Sequence, residues 1–287
     1  MNPTMLLIDA SSFIHRAFHA APPRVTGKGE HVGALYITIK MLRNLINNIH
    51  PKWVATVFDH PESTFRHQLY PEYKANRDPK PPELEFQLDQ LRLVTGGMGL
   101  NPIMVRNVEA DDVIATIASA CTQQKVTTLV ATRDKDLAAI VNSHVSLIDK
   151  DGEITDPAKV KERFGVAPGQ ITDWLTLKGD ESDNIPGIQG CGEKKAAALL
   201  AKYGSLDRLI ANADKIPGVL GERLRANIDQ VQMMRQIVQL KDDLCIMKDP
   251  TCYSRRGLNH DWLLEMFNQF EFVDMHNKLK ERMTATR

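Results

Sequence analysis

Residues 101–136 read NPIMVRNVEADDVIATIASACTQQKVTTLVATRDKD. NPIMV (101–105) is a short apolar run and predicts a strand. EADDVIATIASACTQQ (109–124) repeats its apolar residues at three- and four-residue intervals and predicts a helix with acids in its first turn. VTTLVAT (126–132) predicts a second strand, followed at once by RDKD. A strand, a helical crossover and another strand make a parallel βαβ unit. The unit carries carboxylates where a strand gives way to a helix.

The same alternation extends outward. MLLID (5–9) predicts a strand ending in an acid. SSFIHRAFHAA (11–21) predicts a helix capped by Ser11 or Ser12. PPRVTGKGEHVG (22–33) is a loop, and ALYITIKMLRNLINNI (34–49) is an amphipathic helix. WVATVFD (53–59) is a second strand ending in an acid. Residues 61–82 are polar, basic and proline-rich and break the pattern. ELEFQLDQLRLVTGGMG (83–99) is a helix stopped by glycines, and HVSLID (144–149) is a fifth strand. The predicted fold class is therefore α/β, a mostly parallel central sheet flanked by helices on both faces. From about residue 156 the strands stop. DPAKVKERFG, PGQITDWLTLKG, GEKKAAALLAKYG, SLDRLIANADK and the run 221–240 predict a helical lobe, and 259–282 predicts further amphipathic helices. The expected domains are 1–165 for the α/β part, with 65–83 as a clamp segment, 166–258 for the helical lobe, and 259–287 for C-terminal helices packing back on the core.

The 287 residues suffice for one large domain or two smaller ones, and 43% apolar with 25% charged residues is ordinary for a globular protein. No apolar run approaches the ~18 residues of a membrane span. The start MNPTMLLIDA lacks a basic region and does not read as a signal peptide. Cys121, Cys191, Cys245 and Cys252 form no Cys-x-x-Cys pair and predict reduced, mostly buried thiols in a cytoplasmic protein without a membrane partner. Zero net charge argues weakly against a nucleic-acid partner, yet an acidic cluster can cancel a basic face in the sum.

Such a cluster is predicted. In an open parallel sheet, ligands bind beyond the carboxyl ends of the strands. Asp9 and Asp59 end strands, Asp134 and Asp136 follow one, and Glu109, Asp111 and Asp112 open the helix after another. A helix dipole favours first-turn acids by only ~0.3–1 kcal/mol. That explains one or two of the three in EADD and none of the strand-end acids. Asp111 lies one turn before Ile114 on the apolar stripe, where a solvated acid is not expected. Two carboxylates ~4 Å apart repel by about 1 kcal/mol in water and about 4 at an effective dielectric of 20. A converging set needs protons or cations, and hard divalent ions, Mg²⁺ or Mn²⁺, fit oxygen ligands. No zinc spacing and no Ser-His-Asp or Cys-His arrangement competes.

LKGDESDNIPGIQGCGEKKAAALLAKY (177–203) adds Asp180 and Asp183, read as neighbours on one helical turn and as ligands of a second ion. Two ions ~3.5–4 Å apart can clamp the attacking and leaving oxygens of a phosphodiester. Gly187, Gly190 and Gly192 then form a hairpin before a helix start, with Lys194 and Lys195 beside it. Its amides suit a phosphate, without reading sequence; a plain helix-to-helix turn is the alternative. FRHQLYPEYKANRDPKPPE (65–83) interleaves Arg66, Lys74, Arg77 and Lys80 with Tyr70 and Tyr73. That pattern suits single-stranded nucleic acid, with a solvated loop as the alternative.

LLIDASSFIHRAFHA, VFDHPESTFRHQLYPEYKANR, VEADDVIATIA, ATRDKDLAAIV and LKGDESDNIPGIQGCGEKKAAALL occur in the order found in the 5′-nucleases, or flap endonucleases. Nearly the whole chain resembles that family, most closely the N-terminal 5′-3′ exonuclease domain of bacterial DNA polymerase I. The resemblance implies a PIN-like, resolvase-like sheet, an arch over the site, and a helix-hairpin-helix lobe that grips duplex DNA, often with K⁺. It implies Asp9, Asp59, Glu109, Asp111 and Asp112 at a first metal, and Asp134, Asp136, Asp180 and Asp183 at a second, with Asp111 or Asp112 shared. Asp112, Lys74 and Arg77 would be catalytic. Arg16, Arg66, Tyr73, Lys74 and Arg77 would lie near the 5′ strand and scissile phosphate. The implied activity is structure-specific, two-metal cleavage of 5′ flaps and RNA/DNA primer junctions, by a monomer with a polymerase attached or recruited. Arg133 stands where the family usually has glycine, and beside a metal ligand it could pair with a carboxylate or with DNA. A DNA-junction-binding module that has lost activity, or an RNA-processing nuclease, are the other classes; the full set of acids argues against the first, and the hairpin with the basic segment against the second.

Overall fold

The computed structural model describes residues 4–20 and 22–285, with side chains to residue 284. Ala21, the last residue of the predicted first helix, and both ends of the predicted domain ranges fall outside the described residues.

A sheet ordered β3-β2-β1-β4-β5-β6 forms the centre. Its strands are β1 (Thr4–Asp9), β2 (Trp53–Phe58), β3 (Pro102–Met104), β4 (Thr127–Ala131), β5 (Val145–Ile148) and β6 (Ile154–Thr155). β1 pairs in parallel with β2 (Asp9 opposite Val57) and with β4 (Ile8 opposite Ala131). Only β6 is antiparallel, against β5; its two residues are too few to leave an alternation in the sequence. The order reverses between β1 and β4. One neighbour of β1 is the next strand in the chain and the other lies about 120 residues on. This switch point opens a crevice at the carboxyl edge.

Both sheet faces are covered, which is why the strands read as continuous apolar runs. Met5 and Leu7 point into a core shared with α5 (Ala110–Gln123) and the helical lobe. Leu6 and Ile8 point into a core formed with α1 (Ala10–Ala20), α2 (Gly33–Ile49), α4 (Pro82–Gly97), α12 (His260–Gln269) and α13 (Val273–Ala285). The first core continues without a break into the lobe, through Trp174, Leu200 and Leu224, so sheet and lobe are glued by one apolar cluster.

The lobe comprises α6 (Pro157–Phe164), α7 (Ile171–Lys178), α8 (Glu193–Tyr203), α9 (Leu206–Ala211), α10 (Gly218–Ala226) and α11 (Ile228–Val238). Strands do not stop at 156 as expected. A small antiparallel ladder joins β7 (Gly179–Asp180) to β8 (Ile185–Pro186). Asp180 therefore lies on a strand and Asp183 in the 3₁₀ turn of Glu181–Asp183, rather than on one helical turn. The ladder depends on glycine. A Cβ at Gly187 would fall 2.2 Å from the Lys178 carbonyl carbon, and Gly179 has φ of 79°.

The segment 65–83 has one short helix, α3 (Phe65–Leu69), followed by turns. Two smaller expectations are corrected. Ser11 and Ser12 lie inside α1, and Asp9 receives the Ser12 amide at 3.0 Å. Cys121 and Cys191 are buried, but Cys245 and Cys252 are exposed. Among the described residues, no helix is long and apolar enough to cross a membrane.

Candidate active site

A cleft of about 820 Å³ opens over the carboxyl edge of the sheet. Asp9 from β1, Asp59 after β2, Glu109 and Asp111 at the start of α5, Asp134 and Asp136 after β4, and Asp183 from the lobe all line it. Arg16, Arg66, Tyr73, Lys74 and Arg77 line it too. Parallel strands end at a common edge, so acids distant in sequence share one wall.

Second neighbours fix these groups. Asp9, 3% exposed, accepts from the Ser12 amide and from Thr132 Oγ1 at 2.7 Å. Asp59 Oδ1 accepts from the Ala110 amide at 2.9 Å, which ties the end of β2 to the start of α5. The Asp136 amide donates to Asp134 Oδ1 at 2.9 Å. The electrostatics follow from crowding. Burial raises Asp9 to about 7, with the Asp59 and Asp134 charges adding to it. Burial and then the Asp134, Asp183 and Asp180 charges raise Asp136 to about 8. Asp111 is pushed well above the usual carboxylate range by burial and then by Asp134, Asp9, Asp59 and Glu109; Asp134 rises as well, burial leading.

The basic segment leans onto these acids. Lys74 Nζ lies 2.5 Å from Glu109 Oε1 and 3.9 Å from Asp183 Oδ2. Arg77 pairs with Asp183, and Tyr73 donates to both Glu109 (3.0 Å) and Asp183 (3.1 Å). Backbone contacts fasten the same stretch to the lobe: Lys74 N to Asp183 O at 3.0 Å, and Asn184 Nδ2 to Glu72 O at 2.7 Å.

Several expected roles do not agree with these positions. Asp112 was expected at a metal, but it is 0% exposed and already accepts four hydrogen bonds: Arg66 Nη1 and Nη2, the Glu109 amide and the Lys241 amide. No oxygen is left for an ion. Arg66, 2% exposed, is committed to Asp112 and to the Ile237 and Gln239 carbonyls, so it is not turned toward a strand of DNA. Tyr73, 3% exposed, has no open ring face for a base. Asp180 does not line the cleft. It is held by Lys135 at 2.7 Å and by Ser182, and although burial alone would raise its pKa, these donors bring it below the usual value. Arg133 pairs with no carboxylate among the described residues and lines a neighbouring cleft beside β5 and α6. In the lobe, Gly190 adopts φ of 84°, Gly192 precedes α8, Lys194 is exposed, and Lys195 Nζ donates to the Gly190 carbonyl at 2.9 Å.

Sequence reading missed three participants. Thr132 orients Asp9, Lys135 neutralises Asp180, and His15 lines the cleft, its imidazole lowered to about 4 by burial and then by the Lys80 charge. The spacing of His15, Arg16 and His19 on one helix was the available signal for the last.

An all-oxygen wall with raised carboxyl pKa values, and a buried Asp136 Oδ1 that no donor reaches, suits a hard divalent ion. The carboxylates are not gathered for one as they stand: among the described residues, no group of three or more His, Cys, Asp or Glu is arranged to hold a metal. The nearest cations to Glu109 and Asp183 are the side chains of Lys74 and Arg77.

Comparison with known proteins gives a consistent result. The 5′-3′ exonuclease N-terminal resolvase-like domain matches residues 4–165, and the 5′-3′ exonuclease C-terminal SAM fold matches 166–261. The 5′-3′ exonuclease of Aquifex aeolicus is 35% identical over 97% of this chain and 94% of its own. DNA polymerase I of Mycobacterium bovis is 36% identical over 99% of this chain, which spans 32% of that protein; the chain thus covers about a third of such polymerase relatives. The bacteriophage T5 5′-exonuclease with bound zinc superposes with a TM-score of 0.72 at 19% identity, over 83% of this chain and 90% of the phage chain. The T5 flap endonuclease in complex with DNA and metal ions superposes at 0.70, 18% identical, over 98% of each chain.

Proposed function

The chain belongs to the 5′-3′ exonuclease family, and on that premise we propose that it hydrolyses DNA phosphodiester bonds near 5′ ends and at 5′-flap junctions, including RNA/DNA primer junctions, with two Mg²⁺ or Mn²⁺ ions. The observation that supports this most is the convergence of seven carboxylates on one cleft beneath Lys74 and Arg77.

Asp9, Asp59, Glu109 and Asp111 would hold one ion, and Asp134, Asp136 and Asp183 the other; Asp180 and Asp112 act behind them, through Lys135 and Arg66. When bound, the ions would make water a better nucleophile near neutral pH and would offset charge on the leaving oxygen. Lys74 and Arg77 leave Glu109 and Asp183 to meet the scissile phosphate, orienting it and offsetting its charge. Thr132 and the Ser12 amide keep Asp9 ionised and aimed at the cleft once a cation is present. Lys194, Lys195 and the amides after Gly190 grip duplex backbone, with K⁺ at the hairpin. Cleavage leaves a 5′-phosphate and a 3′-hydroxyl. The protein works as a monomer in primer removal and repair, with a DNA polymerase attached or recruited.

The test is cleavage of a 5′-labelled flap duplex with Mg²⁺, with Mn²⁺ and with chelator, for the wild type and for Asp9→Ala. Short 5′ fragments that require a divalent ion and Asp9 are expected. Undiminished cleavage by Asp9→Ala, or an intact flap in both metals, would remove the proposal.

A further inference from the structure

On the sheet face opposite the helical lobe lies a small hole that the active-site cleft does not touch. Ile46, Leu100, Phe267 and Met275 are among the apolar side chains that line it, and Arg43, Arg255 and Arg282 stand at its rim. It measures about 50 Å³, room for one short branched side chain. It opens beside a polar groove of about 340 Å³ between α2 and α13, which shares Arg43, Asn47 and Arg282 and adds Lys40, Asn44 and Lys278. Hole and groove share no residue with the acidic cleft.

The charge is lopsided. Five cations border the two spaces, against Asp274 and Glu281; Asp274 accepts from the Tyr36 hydroxyl at 2.9 Å, and its charge also acts on Arg43. Arg43 is half-buried, and burial and then the Arg282 charge lower its pKa. Among the described residues, no carboxylate lies within ion-pair distance of Arg43 or Arg255, although the Asp274 charge partly offsets that of Arg43. Like charges gathered around an apolar hole are a cost to the protein alone and a gain to a ligand that brings carboxylates.

We propose that this hole and groove bind an acidic peptide segment of a partner protein, with one aliphatic side chain seated in the hole and flanking carboxylates on Arg43 and Arg255. The volumes favour peptide over lipid. At about 50 Å³ the hole is too small for an acyl chain, while the groove of about 340 Å³ takes a few residues, and Asn44 and Asn47 line it with amides that a peptide backbone would use. A buried apolar anchor ringed by charge is the arrangement in which few residues carry most of the affinity.

Fluorescence anisotropy tests it, with a fluorescein-labelled peptide Asp-Glu-Asp-Leu-Asp-Glu at low ionic strength. Saturable binding is expected, weakened at least ~10-fold by Arg43→Glu, by Arg255→Glu, or by serine in place of the peptide leucine. Arg43→Lys should retain most of it, and flap cleavage should not change in any variant. No saturable binding, or equal binding by the Arg→Glu variants, overturns the proposal. So does displacement by a 5′-flap duplex, which would make the groove part of the DNA track. Arg43-dependent binding of phosphatidylglycerol vesicles without peptide binding would assign the site to lipid instead and overturn it as well.

Discussion

Arg66 and Asp112 form a two-pronged ion pair shut away from water, with Nη1 2.6 Å from Oδ2 and Nη2 2.7 Å from Oδ1. Arg66 Nε also reaches the Ile237 carbonyl at 2.7 Å, so one guanidinium joins α3, the start of α5 and the end of α11. Removing one partner strands a buried charge. Arg66→Ala and Asp112→Ala are each expected to lose about 3–5 kcal/mol, and Arg66→Leu with Asp112→Leu to regain only part of it, because the Ile237 and Gln239 carbonyls and the Glu109 and Lys241 amides are then left without their partners. Urea unfolding of the three variants measures this. An Asp112→Ala protein as stable as wild type but inactive would return Asp112 to the reacting atoms.

Lys74 and Arg77 occupy the acids that divalent ions would need. In Lys74→Met/Arg77→Met, Tb³⁺ or Mn²⁺ is expected to bind more tightly, because two competing cations are gone. Flap cleavage should fall by ~10²-fold or more, since the phosphate loses its charge partners. Luminescence titration and single-turnover cleavage read the two effects separately. Weaker metal binding in the variant would show that the lysine and arginine do not compete for the carboxylates.

The raised carboxyls give a definite sign. Asp9 at about 7 and Asp136 at about 8 hold protons in the fold that the unfolded chain, near 3.8, has released. Stability without metal is therefore fullest below about pH 4 for these two groups. It is lost as pH climbs from about 4 to about 7 for Asp9 and to about 8 for Asp136, at up to about 1.4 kcal/mol per pH unit for each group, and levels off above. Thermal midpoints in chelator should fall across that window, while the stabilisation conferred by Mg²⁺ grows over it. A chelated midpoint that rises from pH 5 to 8 contradicts the assignment, with Asp9→Asn as the control that flattens the slope.

The hairpin glycines separate by mechanism. Gly187→Ala drives a Cβ into the backbone of Lys178 and Gly179, and is expected to cost about 1–3 kcal/mol and to loosen Asp183. Gly192→Ala meets nothing within 4 Å and should be silent in stability. Lys194→Ala and Lys195→Ala should weaken binding to all duplexes alike, each reducing the salt slope by about 1. Calorimetry and filter binding over a salt series distinguish these outcomes.

The sheet and most of the acid wall were legible because they depend on local periodicity: an apolar run that ends in Asp delivers Asp to the sheet edge wherever the strand is placed. Asp112 entered the metal set through its place at the start of the helix and through the family resemblance, and the local pattern could not show that it is shut away. The stripe through Ile114 singled out Asp111 as the acid in an apolar setting, but α5 is buried on almost every side, against the sheet and against the chain near Lys241. A helix without an exposed face has no stripe to phase it. Arg66, Tyr73 and Lys135 were equally beyond reach, since their partners lie 46, 110 and 45 positions away. A basic, tyrosine-bearing segment looks the same whether it will meet a nucleic acid or the protein's own carboxylates.

Leu263, Phe267, Phe270, Phe272, Met275 and Leu279 close the core that Leu6, Ile8, Phe13 and Leu35 begin. A ribosome delivers the beginning some 250 residues before the end. While synthesis runs, that oily side of the nascent sheet has no lid, and for most of the journey it is a surface for a chaperone to guard.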